Sequence, residues 1–287
     1  MHLVCGTHTF TLTRPLVMGI VNVTPDSISD GGLFLGAQEA IAQGEKLIAE
    51  GADILDIGGE STRPGAAPAS LQEELDRIMP VLVALLKTNV AISIDTQKTA
   101  VMIEAIRVGA AMINDVNALQ DTGAIAACAK SNVAVCLMHK QGAPSTMQAA
   151  PRYDDVVREV SDFLGVRAAA CEGAGIARER IVIDPGFGFG KTLTHNFTLL
   201  NKLQTFTNLG YPVLAGLSRK NSLGVVTGRA VEDRLAASVA AAVLAAYHGA
   251  TIIRVHDVKE TVDALKILQA TRDCGSTQQI KINPERS

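Results

Sequence analysis

Polar side chains, with one methionine among them, stand where the apolar runs of this chain stop: Asn22, Asp56, Asp95, Asn114 with Asp115, Met138 with His139, Asp184, Ser218, and Arg254 with His256. A carboxylate there could accept paired N–H donors from a planar heterocycle. Arg254 and His256 are two residues apart, so on a strand they share a face and aim at one anion together. A lone polar residue at a strand end is ordinarily a loop cap. Polar ends on nearly every strand cost free energy unless ligands or partners satisfy them. The stretch "DPGFGFGKT", Asp184 to Thr192, suggests a phosphate-cradling loop but fails the test of spacing. A Walker A loop requires glycine where Pro185 stands, and Gly186, Gly188 and Gly190 follow GxGxG, not the dinucleotide GxGxxG. No pairing of nucleophile and base calls for a covalent intermediate, and no HExxH or Cys/His cluster suggests tightly held zinc.

The elements that must position these residues announce themselves by a repeated phrase. "EGADILDIGG", "VGAAMINDV" and "HGATIIRVHDV" each place Gly-Ala at the end of a helical pattern, before an apolar run. Glycine there supplies the left-handed stop of a helix. A run that does not alternate is the mark of a parallel strand covered on both faces. Aligning the phrases puts Asp56, Asn114 and Arg254 at one height, five residues after the glycine. Five further runs fit the same description: Val17–Val23, Val90–Asp95, Val133–Met138, Ile181–Asp184 and Pro212–Gly216. Between them lie amphipathic helices, one marked by Ala37, Ile41, Gly44 and Ile48, another by Leu71, Leu75, Ile78 and Leu82. The second opens with a Ser70/Glu73 capping box, and Pro80 inside it is expected to kink or divide it.

Eight alternating β/α units favour a closed (β/α)₈ barrel, with chemistry where strands end and βα loops begin. Residues 3–12 read as a small hairpin before the first barrel strand, and the polar tail from about residue 271 as frayed. The 287 residues, 47% hydrophobic, bury a large core as one domain, and a net charge of −3 without charged blocks points away from nucleic acid and membrane surfaces. "MHLVCGTHTF" lacks the features of a signal peptide, and "AASVAAAVLAAY" is too short to span a bilayer. The five cysteines form no CxxC pair and read as reduced thiols of a cytoplasmic protein.

The phrases "MGIVNVTPDSISDGG", "DIGGESTRPGA", "SIDT", "INDV", "LMHKQGAPSTMQ", "DPGFGFGK", "GLSRKNSLG" and "RVHDV" occur in the order and spacing of the dihydropteroate synthase family. The chain resembles that family from about residue 15 to residue 270. The resemblance implies a (β/α)₈ barrel, usually homodimeric. It implies that p-aminobenzoate displaces diphosphate from 6-hydroxymethyl-7,8-dihydropterin diphosphate, with Mg²⁺, to give 7,8-dihydropteroate for folate synthesis. It also marks sulfonamides as inhibitors at the p-aminobenzoate position.

Residue by residue, the resemblance gives Asp184 the pterin's paired N–H donors, Lys220 its carbonyl side, and Asp95 and Asn114 its remaining ring nitrogens. Met138, Phe189 and Gly216 complete that pocket, the glycines after Asp184 letting backbone and Phe189 close over the ring. Arg254 and His256 take the diphosphate with Thr62, Arg63 and Asn22, the last also matching the family's metal-coordinating asparagine. Asp95, Asp184, Lys220, Arg254 and His256 form the catalytic set. Ser218, Arg219 and Lys220 open a helix whose free N–H groups suit the p-aminobenzoate carboxylate, beside Thr62, Arg63, Pro64, Phe189 and Ile28. The loops bearing Asp26 to Asp30 and Thr62 to Pro64 are expected to order over the reactants. Ile28 departs from the family's phenylalanine, which removes an aromatic contact worth about 0.5–1.5 kcal/mol. Lys191 is expected to be solvated, and His139 suits packing as well as function. Two rivals share the barrel: a methyltetrahydrofolate–corrinoid methyltransferase, not expected to combine Thr-Arg-Pro with Ser-Arg-Lys, and a non-catalytic pterin-binding barrel, for which Arg254, His256 and Asn22 would be superfluous.

Overall fold

The computed structural model describes residues 1–23, 32–60, 68–142 and 151–275. An antiparallel hairpin, β1 (His2–Cys5) and β2 (His8–Thr11), precedes eight parallel strands. These are β3 (Leu16–Asn22), β4 (Ile54–Gly58), β5 (Ala91–Asp95), β6 (Met112–Asp115), β7 (Ala134–Met138), β8 (Ile181–Asp184), β9 (Leu214–Ala215) and β10 (Ile252–Val255). They lie side by side in chain order, β10 pairs with β3, and a parallel bridge from Ile183 to Val213 joins β8 to the start of β9. The sheet thereby closes into the expected (β/α)₈ barrel.

Helices α1 (Gly32–Ala49), α2 (Leu71–Leu85), α3 (Thr99–Val108), α4 (Ala124–Ala129) and α5 (Val156–Gly173) follow the first five barrel strands. The others are α6 (Leu193–Asn201), α7 (Gln204–Thr207), α8 (Asn221–Thr227), α9 (Leu235–Tyr247) and α10 (Val258–Gly275). None of the described helices is long and apolar enough to cross a membrane.

The Gly-Ala phrases are Schellman endings. Gly51, Gly109 and Gly249 take φ of 104°, 123° and 105°, and the following alanines donate five residues back, Ala52 to Leu47, Ala110 to Ala105 and Ala250 to Ala245, at 2.9–3.0 Å. The Ser70/Glu73 capping box is present at α2. Pro80, however, does not divide that helix, which runs unbroken to Leu85. Pro80 and Asp76 both lie on the exposed side, which leaves the carbonyl that loses its N–H partner open to solvent. Leu71 is exposed rather than part of the buried face, which runs through Glu74, Ile78, Val81, Leu82 and Leu85. The tail is helical to residue 275, so residues 271–275 extend α10.

Strand alternation sorts the apolar residues into two cores. Outward residues such as Leu55, Ile92, Ile113, Val135 and Ile253 pack under the helices. Inward residues Met18, Ile54, Met112, Val182 and Ile252 fill the barrel, with Leu3 and Cys5 of the hairpin packed into the same core. One step further along each strand, the inward positions turn polar: Asp56, Asn114 and Arg254, then Asn22, Asp95 and Asp184. The apolar floor ends and the site begins.

Candidate active site

Register brings the inward polar residues together. Asn22 pairs with Gly58 and Gly58 with Asp95, Asp95 pairs with Asn114, and Met138 pairs with Asp184. At the centre, Arg254 donates from Nε to Asp56 Oδ2 at 2.6 Å and from Nη2 to Asp95 Oδ2 at 2.9 Å. Asn114 Nδ2 donates to the same Asp56 oxygen at 2.9 Å, and Asp56 Oδ1 is buried without a protein partner. Asp56 was legible as a strand-end carboxylate, equivalent to Arg254 in the repeated phrase, but sequence reasoning gave it no role. It is the hub of the network.

Arg254 and His256, expected to aim at one anion together, both reach the mouth but hold different protein partners. Arg254 turns to Asp56 and Asp95, while His256 Nδ1 lies 3.0 Å from Ser218 Oγ, which also accepts the His256 backbone N–H at 3.2 Å. Ser218 thus holds His256, and its hydroxyl is not left to a helix start. Arg219 is likewise committed, its guanidinium forming a fork on Asp257 and its backbone N–H donating to Ser238 Oγ at 2.9 Å. Its φ of 58°, uncommon for a side-chain-bearing residue, turns the chain between Ser218 and Lys220.

The glycine-rich stretch after β8 is a constrained turn. Gly186, Gly188 and Gly190 have φ of 72°, 80° and 61°. A Cβ at Gly186 would lie 1.9 Å from the His139 carbonyl oxygen, and one at Gly190 would lie 2.3 Å from that of Gln141. The chain has glycine there because the loops after β7 and β8 touch. Gly186 N–H donates to Asp184 Oδ1 at 2.7 Å, and Gly188 N–H to Asn196 Oδ1 at 2.6 Å. Phe187 goes into the core, whereas Phe189 is half-buried beneath the Lys220 ammonium, 4.7 Å from its ring centre. Lys220 Nζ also donates to the Phe187 carbonyl. Gly216 adjoins Arg254, whose Cβ would lie 3.7 Å from any Cβ placed there. Gly186→Ala is expected to lower the melting temperature by about 4–8 °C, a cost of about 2 kcal/mol from the left-handed φ and the overlap. Scanning calorimetry checks this, and a wild-type melt would contradict the turn's geometry.

Lys191 is not solvated as expected; it is 2% exposed, with Nζ 3.0 Å from His139 Nδ1. The pattern of alternating glycines gave no hint that the next residue turns inward. His139 packs edge-on against Phe163, with ring centres 5.0 Å apart. Thr62, Arg63, Pro64, Ile28 and the segment from Asp26 to Asp30 lie outside the described residues. Just before the second of those loops, Lys98 pairs with Glu60 and with buried Glu74, the latter at 2.6 Å.

The electrostatics of the mouth are those of carboxylates removed from water. Burial holds the Asp95 carboxyl well above its usual range; Arg254 opposes this, while Asp56, Asp115 and Glu74 add to it. Burial also raises Asp184, against Lys220, the Gly186 N–H, Lys191 and Arg254. Lys220 is lowered to about 8 by burial, although Asp184 supports its charge. Burial disfavours the charge of Arg254 too, but Asp56 and Asp95 outweigh it and keep the guanidinium protonated. Because kcat/KM reports groups of the free enzyme, its acid limb is expected above the ordinary carboxylate pKa of about 4. In Asp95→Asn that limb should move or vanish; an unmoved limb would take Asp95 out of the titration.

The arrangement suits a flat, donor-bearing heterocycle that gains positive charge as it reacts. Residues 18–256 match the family model described as "Pterin binding enzyme". The curated dihydropteroate synthase of Escherichia coli strain K12 is 51% identical over 261 residues, covering 91% of this chain and 93% of the relative. The Xanthomonas albilineans dihydropteroate synthase solved with 4-aminobenzoic acid is 53% identical, with a TM-score of 0.89 over 94% of this chain and 98% of that one. The same enzyme solved with 7,8-dihydropteroate is 50% identical, with a TM-score of 0.87 over 95% and 99%. The Yersinia pestis dihydropteroate synthase with a sulfonamide drug is 49% identical, with a TM-score of 0.90 over 95% and 100%. The chain belongs to the pterin-binding enzymes, and within them to the dihydropteroate synthase family.

Proposed function

We infer that this chain is a transferase that joins 6-hydroxymethyl-7,8-dihydropterin diphosphate to p-aminobenzoate, releasing diphosphate and forming 7,8-dihydropteroate. The observation that carries the reading is the cluster at the barrel mouth. Buried Asp56 and Asp184 and half-buried Asp95 meet Arg254, Lys220 and Asn114 within a family whose relatives bind 4-aminobenzoic acid and the pteroate product.

In this reading Asp184 accepts the paired N–H donors of the pterin, Asp95 and Asn114 meet its ring nitrogens, and Lys220 donates to its carbonyl side. Met138, Phe189 and Gly216 bound the ring. An arylamine is a weak nucleophile, so departure of diphosphate first is favoured, leaving a cation delocalised into the dihydropterin. Fixed carboxylates at Asp95 and Asp184 stabilise that charge more in the transition state than in the ground state. His256 with Arg254, and Thr62 and Arg63 from the second loop, receive the diphosphate. The backbone turn from Ser218 to Lys220, whose Ser218 hydroxyl steadies His256, is assigned to p-aminobenzoate with Phe189, and Pro64 and Ile28 are assigned to the same substrate; sulfonamides compete there.

Mg²⁺ fits as an ion brought with the diphosphate. Among the described residues no group of three or more His, Cys, Asp or Glu side chains forms a metal cage. Asn22, at the end of β3 beside Gly58, would contribute its side-chain oxygen, with the diphosphate oxygens supplying the rest. Hard oxygen donors few in number suit Mg²⁺, which keeps waters and binds substrate phosphates. Bound there, it would neutralise leaving-group charge.

Helix α9 supports a homodimer. It is apolar around its circumference, and Leu244 and Tyr247 on it, with Ile267 on α10, are 48%, 63% and 70% exposed. Four buried thiols, Cys5, Cys128, Cys136 and Cys171, suit the reducing cytoplasm. The function is tested by incubating the protein with both substrates and Mg²⁺ and following 7,8-dihydropteroate by mass spectrometry. Methyl transfer from methyltetrahydrofolate to a corrinoid, with no dihydropteroate, would replace this reading with its rival.

A further inference from the structure

Lys191 belongs to none of the roles above, yet its side chain reaches into the wall of the site. Nζ contacts three groups at once: His139 Nδ1 at 3.0 Å, the His139 carbonyl at 3.2 Å and the Phe189 carbonyl at 3.0 Å. Those groups belong to the end of β7 and to the turn after β8, the two segments that carry Met138, Asp184 and Phe189. Around them, the Tyr153 hydroxyl donates to the Gly190 carbonyl at 2.8 Å, and the His139 ring meets Phe163 of α5 edge-on. A methionine would fill the same volume without removing a charge from water. What lysine adds is directed N–H bonds.

We propose that Lys191 is a positioning residue of the pterin site: it ties the Phe189 turn to the end of β7, so that Phe189, Lys220 and Asp184 are set before the ring arrives. The role rests on the pterin reading given above. The tie holds in either protonation state. An ammonium donates to all three partners, while a neutral amine donates to both carbonyls and accepts from His139 Nδ1–H. Burial lowers Lys191 to about 7, with Asp184 supporting its charge and Lys220 opposing it, and burial followed by Lys191 lowers His139 to about 3. A neutral imidazole therefore faces the amine, and either tautomer serves.

The test is calorimetric titration with the dihydropterin diphosphate, together with steady-state kinetics, on Lys191→Met. Affinity should fall about tenfold and KM rise with it, while kcat at saturation changes by less than about threefold. A residue that only holds the fold would lower the melting temperature and the active fraction and leave KM unmoved; that result overturns the proposal. If Lys191→Met does not fold, the His139 variants decide. His139→Asn keeps an acceptor near the Nδ1 position and should bind nearly as wild type, whereas His139→Leu should lose several-fold; equal behaviour of the two overturns the proposal. Asp184→Asn, run alongside, separates the two failures. Wild-type binding by Asp184→Asn would sink the pterin reading itself. Lost binding there, with wild-type binding by Lys191→Met, would sink the positioning role alone.

Discussion

Asp184→Asn is expected to weaken binding of the dihydropterin diphosphate by about 3 kcal/mol, or more than a hundredfold. The structure sharpens the reason. Gly186 N–H already donates to Asp184 Oδ1, so an asparagine would turn its carbonyl oxygen toward Gly186 and present its amide donor to the ring. A donor would then face the pterin's own donors. The backbone turn keeps its hydrogen bond, so stability should change little. Calorimetric titration decides it, and binding within about threefold of wild type would remove Asp184 from the site.

Arg254→Ala should cost about 3–5 kcal/mol of stability, because Asp56 and Asp95 lose the charge between them. The pH dependence has a definite sign. Asp95 already stands above its unfolded value, and without Arg254 it rises further. Between the ordinary carboxylate pKa of about 4 and that raised value, the native state binds more protons than the unfolded chain, so the variant loses stability as pH rises. Melts at pH 5.5 and 8 should show the larger deficit at pH 8. Pterin diphosphate and free pterin alcohol should both bind weakly, because Arg254 organises the carboxylates as well as facing the leaving group. A stable variant that loses only the diphosphate's contribution would return Arg254 to a purely anion-binding role.

What was legible in the sequence was whatever periodicity or local backbone chemistry dictates. Unalternating runs marked the barrel strands, and the repeated Gly-Ala marked the helix ends, because each follows from a few neighbouring residues. Strand-end position then gave Asp95, Asn114, Asp184 and Arg254 their place at the mouth. Side-chain direction was not legible, because it is set by residues distant in the chain. Arg254 turned to Asp56 because register brought a carboxylate 198 residues away within reach. Lys191 turned inward because two carbonyls and His139 lay behind a turn whose glycines leave no gap. Pro80 was misjudged because its effect depends on which side of the helix faces water.

The central claim, that the carboxylate-lined mouth transfers a pterin from diphosphate to an arylamine, is tested most directly by measuring diphosphate release with each substrate omitted in turn. Wild-type protein should release diphosphate only with dihydropterin diphosphate and p-aminobenzoate together, one for each dihydropteroate formed, and Asp184→Asn should be slower by about a hundredfold or more at subsaturating pterin. Release that proceeds equally without p-aminobenzoate, or that is untouched in Asp184→Asn, would contradict the account.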